Sequence, residues 1–210
     1  MNEPIHKKIE HQIEQKKPGE IIFPNEFKGI GTEAAIKMTL HRLVKTGILQ
    51  RIAHGIYMRP KQDPLFGTIN PPLEEIALAI AKKEKTRIKP AGAYALNKLG
   101  LSTQVPTRLV YITDGPRKKI HIGNTVILFK QSTPKKLALQ GELSSLIIQA
   151  LDELDMDALD NRTLDKLAKL IQKENPRKLQ HDLKLAPAKV NDFIFKLLKT
   201  RKNDSLVKIN

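Results

Sequence analysis

Lys37, His41 and Lys45 are spaced by four residues and Arg42 stands three before Lys45, so on an α-helix they share one side. Residues of these types in that pattern suit a polyanion. Arg42 can grip a guanine bidentately, while Lys37, His41 and Lys45 can reach phosphates or bases. Ala34 opens the same face and is small enough to let the backbone approach base edges. Met38, between them, can touch a thymine methyl. Arg51, His54 and Arg59 follow within a short basic stretch, and Thr32 stands where a helix N-cap would stand. A solvated helix face normally mixes charges of both signs, yet Glu33 is the only acid between Thr32 and Asp63. All of these except the acid are candidate DNA contacts.

Catalytic chemistry finds less support. Asp114 follows one β-rich run and Lys130 ends another, as in metal-dependent nucleases, but Leu128 occupies the position where the second carboxylate would be needed. GIGTEAA lacks the spacing of a phosphate-cradling loop. The six His residues form no pair at helical metal-binding spacing, and the absence of Cys excludes thiolate catalysis, disulfides and cysteine metal sites. The sequence therefore predicts a protein that is not an enzyme, with no metal site and no cofactor.

Elements that could hold the basic side chains are readable around it. Ile36, Leu40, Leu43 and Val44 form an apolar stripe opposite the cations, Gly47 can stop the helix in a left-handed conformation, and ILQRIA and GIYMR alternate as two strands turning at His54-Gly55. Upstream lie a helix marked by Ile5, Ile9 and Ile13, a short strand at GEIIFP, and one helical turn with Phe27 inward. The order is helix, strand, short helix, helix, strand, strand, which is that of a winged helix-turn-helix.

Beyond it, residues 62–71 belong to a proline-rich stretch and read as a linker. Residues 72–140 alternate helical and β-rich runs, with LEEIALAIAKKEK and AGAYALNKLG as helices and RLVYIT, KKIHIG and TVILFKQ as strands. Residues 141–210 look all-helical, with Pro176 and Pro187 opening the last two helices and fraying expected after Lys199. The fold class is α+β: a winged helix-turn-helix over 1–61, a small mixed α+β domain, and a helical C-terminal segment.

The net charge of +15 is unevenly spread: +5 over residues 1–61, +8 over 62–140, −4 over 141–175 and +6 over 176–210. A basic chain of this kind favours nucleic acid as partner over a membrane surface, since its basic helices lack Trp and interfacial anchors. The polar N-terminus carries no secretory signal and no apolar run reaches the length of about 18 residues that spans a bilayer, so a cytoplasmic location is expected.

The run IKPAGAYALNKLGLSTQVP, followed by YITDGPRKKIHIG and lying behind HGIYMRP, resembles the AbiEi family of antitoxins. The resemblance covers residues 5 to 150 and is most specific over Lys89 to Gly115. It implies the antitoxin of a type IV toxin–antitoxin system linked to abortive infection of phage. In that family the winged helix binds double-stranded DNA in its own promoter and represses the operon, and the C-terminal part counters a nucleotidyltransferase-like toxin. The matching motif residues are Gly92, Asn97, Gly100, Ser102, Thr103, Gln104, Pro106, Asp114 and Gly115. Physically, Gly92 and Gly100 permit close packing and a left-handed stop, and Pro106 fixes the start of a strand. Ser102, Thr103 and Gln104 suit either a self-capped loop or a partner surface. The alternatives are a stand-alone winged-helix regulator and a nuclease-like enzyme centred on Asp114.

Overall fold

The structure, a computed structural model, describes residues 3–207 except 103 and 105. It is mixed α+β and divides into two compact units, one up to Ile80 and one from Ala81 onward.

In the first unit the elements come in the order the sequence predicts. α1 (Ile5–Glu14) is followed by β1 (Ile21–Ile22), a 3₁₀ turn at Pro24–Phe27, α2 (Glu33–Lys45), β2 (Gln50–Ala53) and β3 (Ile56–Met58). The three strands form one antiparallel sheet in the order β1-β3-β2, with Ile21 opposite Met58 and Arg51 opposite Tyr57. Burial follows the periodicity. Ile9 and Ile13 of α1, Phe27 of the turn and Ile36, Leu40 and Leu43 of α2 close one core with Ile22 and Leu49. Val44, at the margin of the stripe, is half-buried. The α1–α2 side is tight at Gly31, where a Cβ would meet Ile5 Cδ1 at 2.9 Å. Gly47, at φ +78°, ends the segment after α2 in the left-handed region that only glycine adopts freely.

The proline-rich stretch is more ordered than a plain linker. β4 (Gln62–Asp63) and β5 (Gly67–Thr68) pair as a short hairpin, and Asp63 Oδ1 accepts from the Leu65 and Phe66 amides at 2.9 and 3.0 Å. Leu65 and Phe66 stand 87% and 82% exposed at its tip. α3 (Leu73–Glu84) follows and buries Ile76, Ala77, Ile80 and Ala81, the face its spacing marks; the division between units falls inside it.

The second unit holds β6 (Ile88–Pro90), α4 (Gly92–Lys98), β7 (Arg108–Thr113), β8 (Lys118–Ile122) and β9 (Thr125–Gln131). β8 and β9 are antiparallel through the Gly123-Asn124 turn, as expected. The neighbour of β7, however, is β9, paired in parallel with Tyr111 opposite Phe129, so the sheet runs β6-β7-β9-β8. Tyr111 lies between Tyr94 and Phe129, with ring centroids 5.4 and 5.9 Å away.

The chain then becomes helical: α5 (Pro134–Leu137), α6 (Glu142–Asp152), α7 (Asn161–Lys173), α8 (Pro176–Leu185) and α9 (Ala188–Val207). Ala95 and Leu99 join Ile147, Leu151, Leu167, Ile171, Val190 and Ile194 in one core, so α4 and the C-terminal helices share an interior. α9 continues past Lys199 to Val207, through a stretch with neither Pro nor Gly to break it. At the start of α6 the orphan amides are satisfied by distant carboxylates. Glu174 accepts from Leu143 N at 2.8 Å and Ser144 N at 3.0 Å. Asp182, fully buried, accepts from Gln140 N, Gly141 N and Ser144 Oγ at 2.7, 2.9 and 2.6 Å. Among the described residues no helix is long and apolar enough to cross a membrane.

Candidate nucleic-acid interface

α2 begins at a true N-cap: Thr32 Oγ1 accepts from Ala35 N at 3.2 Å. Its inward stripe pins the helix to the core, and this leaves Ala34, Lys37, Met38, His41, Arg42 and Lys45 exposed on one outward face. Met38, which could have turned partly inward, is 58% exposed. One cation on this face is already engaged, because Lys37 Nζ lies 2.6 Å from Glu33 Oε1. The same contact draws the Glu33 carboxyl below its usual range. Arg42 and Lys45 lie in the last turn, where positive charge also complements the helix dipole.

The β2–β3 hairpin carries the other basic groups. Arg51 folds along it, with Nε donating to Ala53 O at 3.4 Å and Nη2 3.1 Å from His54 Nδ1, so the exposed guanidinium and the tip imidazole form one pair. Arg59 is different. Its Nη1 donates to Glu14 O at 2.7 Å and to Lys16 O, which ties the end of the sheet to the C-terminus of α1. That is a structural task for a residue whose type alone suggested DNA contact. Lys28, exposed four residues before Thr32 and bridged to Gly31, adds a further cation close to the start of α2, although it lies outside the helix periodicity that marks the others.

Within the motif between Gly92 and Gly115 the described part of the loop from Asn97 to Gln104 bonds to itself, while both ends of the motif pack against residues outside it; Thr103 lies outside the described residues. Gly92 adopts φ +55°, and a Cβ there would collide with the Glu153 carboxylate. Gly100, at φ +66°, ends α4 with its amide donating to Asn97 O at 2.9 Å and the Leu101 amide to Leu96 O at 3.0 Å, a Schellman arrangement. Asn97 Nδ2 donates to Gln104 O at 3.0 Å and to Ser102 O at 3.4 Å, and Ser102 Oγ accepts from Gln104 N at 3.2 Å. Ser102 and Gln104 thus spend polar atoms inside the loop, and Pro106 is half-buried just before β7. Gly115 is required by packing, since a Cβ would sit 2.5 Å from Thr86 Cγ2.

Asp114 faces a cation, not a second acid. Its Oδ2 is 2.8 Å from Arg87 Nε and its Oδ1 accepts from Arg87 N at 2.8 Å; these bonds hold the carboxyl below its usual range. Among the described residues no cluster of three His, Asp or Glu side chains could hold a metal ion.

Fold and surface therefore define a mixed α+β protein whose first unit turns one basic helix face outward. The chain belongs to the DUF6088 family, a family of unknown function whose model matches residues 8–179. No match is found among curated proteins.

Proposed function

We propose that this protein is a DNA-binding transcriptional repressor that also acts as the antitoxin of a type IV toxin–antitoxin system in the cytoplasm. The observation that carries the DNA reading is the exposed face of α2, with Ala34, Met38, His41, Arg42 and Lys45 outward and the opposite stripe buried. The element order of the first unit and its β1-β3-β2 sheet support a winged helix, with α2 as the recognition helix and the Arg51–His54 hairpin as the wing. The antitoxin part rests on the resemblance of the Lys89–Gly115 motif to AbiEi antitoxins. On that reading the functional partner is a nucleotidyltransferase-like toxin, and the second unit serves the antitoxin role.

DNA from upstream of the protein's own gene tests the first half. With Lys37 held by Glu33 and Arg59 folded onto α1, about four cations remain for phosphates, which gives a log–log salt slope of about −4 per protomer. A slope near zero, or no binding at low salt, refutes DNA recognition. Growth of cells expressing a nucleotidyltransferase-like protein from the neighbouring gene, with and without this chain, tests the second half; no rescue leaves a stand-alone regulator.

A further inference from the structure

Resting on the reading of α2 as the recognition helix, we propose that Met38 is a specificity-determining residue that reads the 5-methyl group of thymine in the major groove. Met38 is a large apolar side chain, 58% exposed, in the middle of a face that is otherwise small or charged. Its neighbours one turn away are Ala34 behind it and Arg42 ahead of it, four residues off in each direction. Glu33 holds Lys37 to the side at 2.6 Å. The outward face is therefore split. Its N-terminal half offers Ala34 and Met38, neither of which carries a hydrogen-bond donor, and its C-terminal half offers the imidazole of His41 and the cations Arg42 and Lys45.

The thymine methyl is the bulkiest apolar group on a base edge in the major groove, where cytosine offers only a C5–H at the same position and the remaining groups are donors or acceptors. An unbranched, polarisable thioether is suited to cover it. The buried Ile36 and Leu40, two residues before and after it, fix the helix rotation, so Met38 is presented outward. Arg42, one turn further on, would then meet a guanine or phosphate displaced along the groove from that thymine. This predicts mixed recognition along α2, methyl contact first and polar contact after it.

The probe is a set of duplexes selected by the full-length protein from a pool with a randomised central segment, then resynthesised with deoxyuridine in place of each thymine in turn. Deoxyuridine removes the methyl and nothing else. Covering one methyl corresponds to about a fourfold change in affinity, so we expect one or two thymines at which deoxyuridine weakens binding by that factor. Met38→Ala should bind thymine and deoxyuridine duplexes equally, Met38→Leu should restore part of the discrimination, and Arg42→Ala should bind more weakly but keep it. If no thymine is sensitive, or if Met38→Ala discriminates as well as the parent, the proposal is wrong. Salt-dependent binding without an enriched sequence refutes the assignment of Met38 alone, whereas the absence of any salt-dependent binding refutes the DNA reading on which it rests.

Discussion

Replacing Asp182 with Asn keeps the shape of the side chain and removes one acceptor oxygen. Asp182 is fully buried, and its two oxygens serve Gln140 N, Gly141 N, Ser144 Oγ and His181 Nδ1 at 2.6 to 3.0 Å. An amide group turned toward either pair meets two donors with a third. Two hydrogen bonds to a charged acceptor are lost, each worth about 1.5–3 kcal/mol. Ser144 Oγ lies 3.4 Å from Glu174 Oε2 and can re-aim there. The low end therefore applies, about 3 kcal/mol, or about 10 °C in the melting temperature of the second unit. The change also alters acid sensitivity. Burial works to raise the Asp182 carboxyl, but bonds from His181, Ser144 and the two amides outweigh it and hold it below its usual range. Burial likewise works against Glu174, and the Ser144, Asn175 and Leu143 amides prevail. A carboxyl lowered in the folded state stabilises above its unfolded value, and that contribution is lost as pH falls through the folded one. Stability should therefore drop below about pH 4, with a slope of up to about 1.4 kcal/mol per pH unit for each carboxyl. Thermal unfolding followed by circular dichroism from pH 7 to pH 3 checks both points. A melting temperature within 2 °C of the parent at pH 7, or an unchanged acid slope in Asp182→Asn, refutes the account.

Two further outcomes concern the first unit. Arg59→Ala should destabilise it by about 1.5–3 kcal/mol, because the guanidinium holds carbonyls at the end of α1; urea titration measures this, and the salt slope of DNA binding should stay that of the parent. Glu33→Gln releases Lys37, so binding should tighten and the log–log salt slope should steepen by about one, as read from titrations at several salt concentrations.

Where a segment's own pattern decided its structure, the sequence carried the answer. The spacing of Ile36, Leu40 and Leu43 fixed the buried side of α2 and hence the exposed one. Thr32 and Gly47 marked the helix start and the turn beyond its end. The Gly123-Asn124 turn marked the β8–β9 pair. What depended on distant partners was hidden. The type of Arg59 is that of a phosphate-binding residue, and only the return of the sheet past α1 shows it capping Glu14 and Lys16. Asp182 and Glu174 look like ordinary acids on amphipathic helices until the start of α6 is brought against them. The hairpin at 62–68 was hidden because two strands of two residues each are too short to alternate visibly, and Pro64 between them reads as a linker residue.

The order of strands in the second unit has a consequence for how the chain acquires its shape. β9 separates β7 from β8, so these two successive strands cannot zip together across the Asp114-Gly115-Pro116 turn. β9, one of the two inner strands, is the last of the sheet to be synthesised. During translation, β7 leaves the ribosome with one flank unpaired, and it stays so until Gln131 has emerged and β9 can enter between its neighbours. Parallel pairing across an intervening strand is slow, and open strand edges attract other chains. Lys118 and Lys119 on β8, and Arg108 at the start of β7, put charge on those edges during the interval in which the sheet is incomplete.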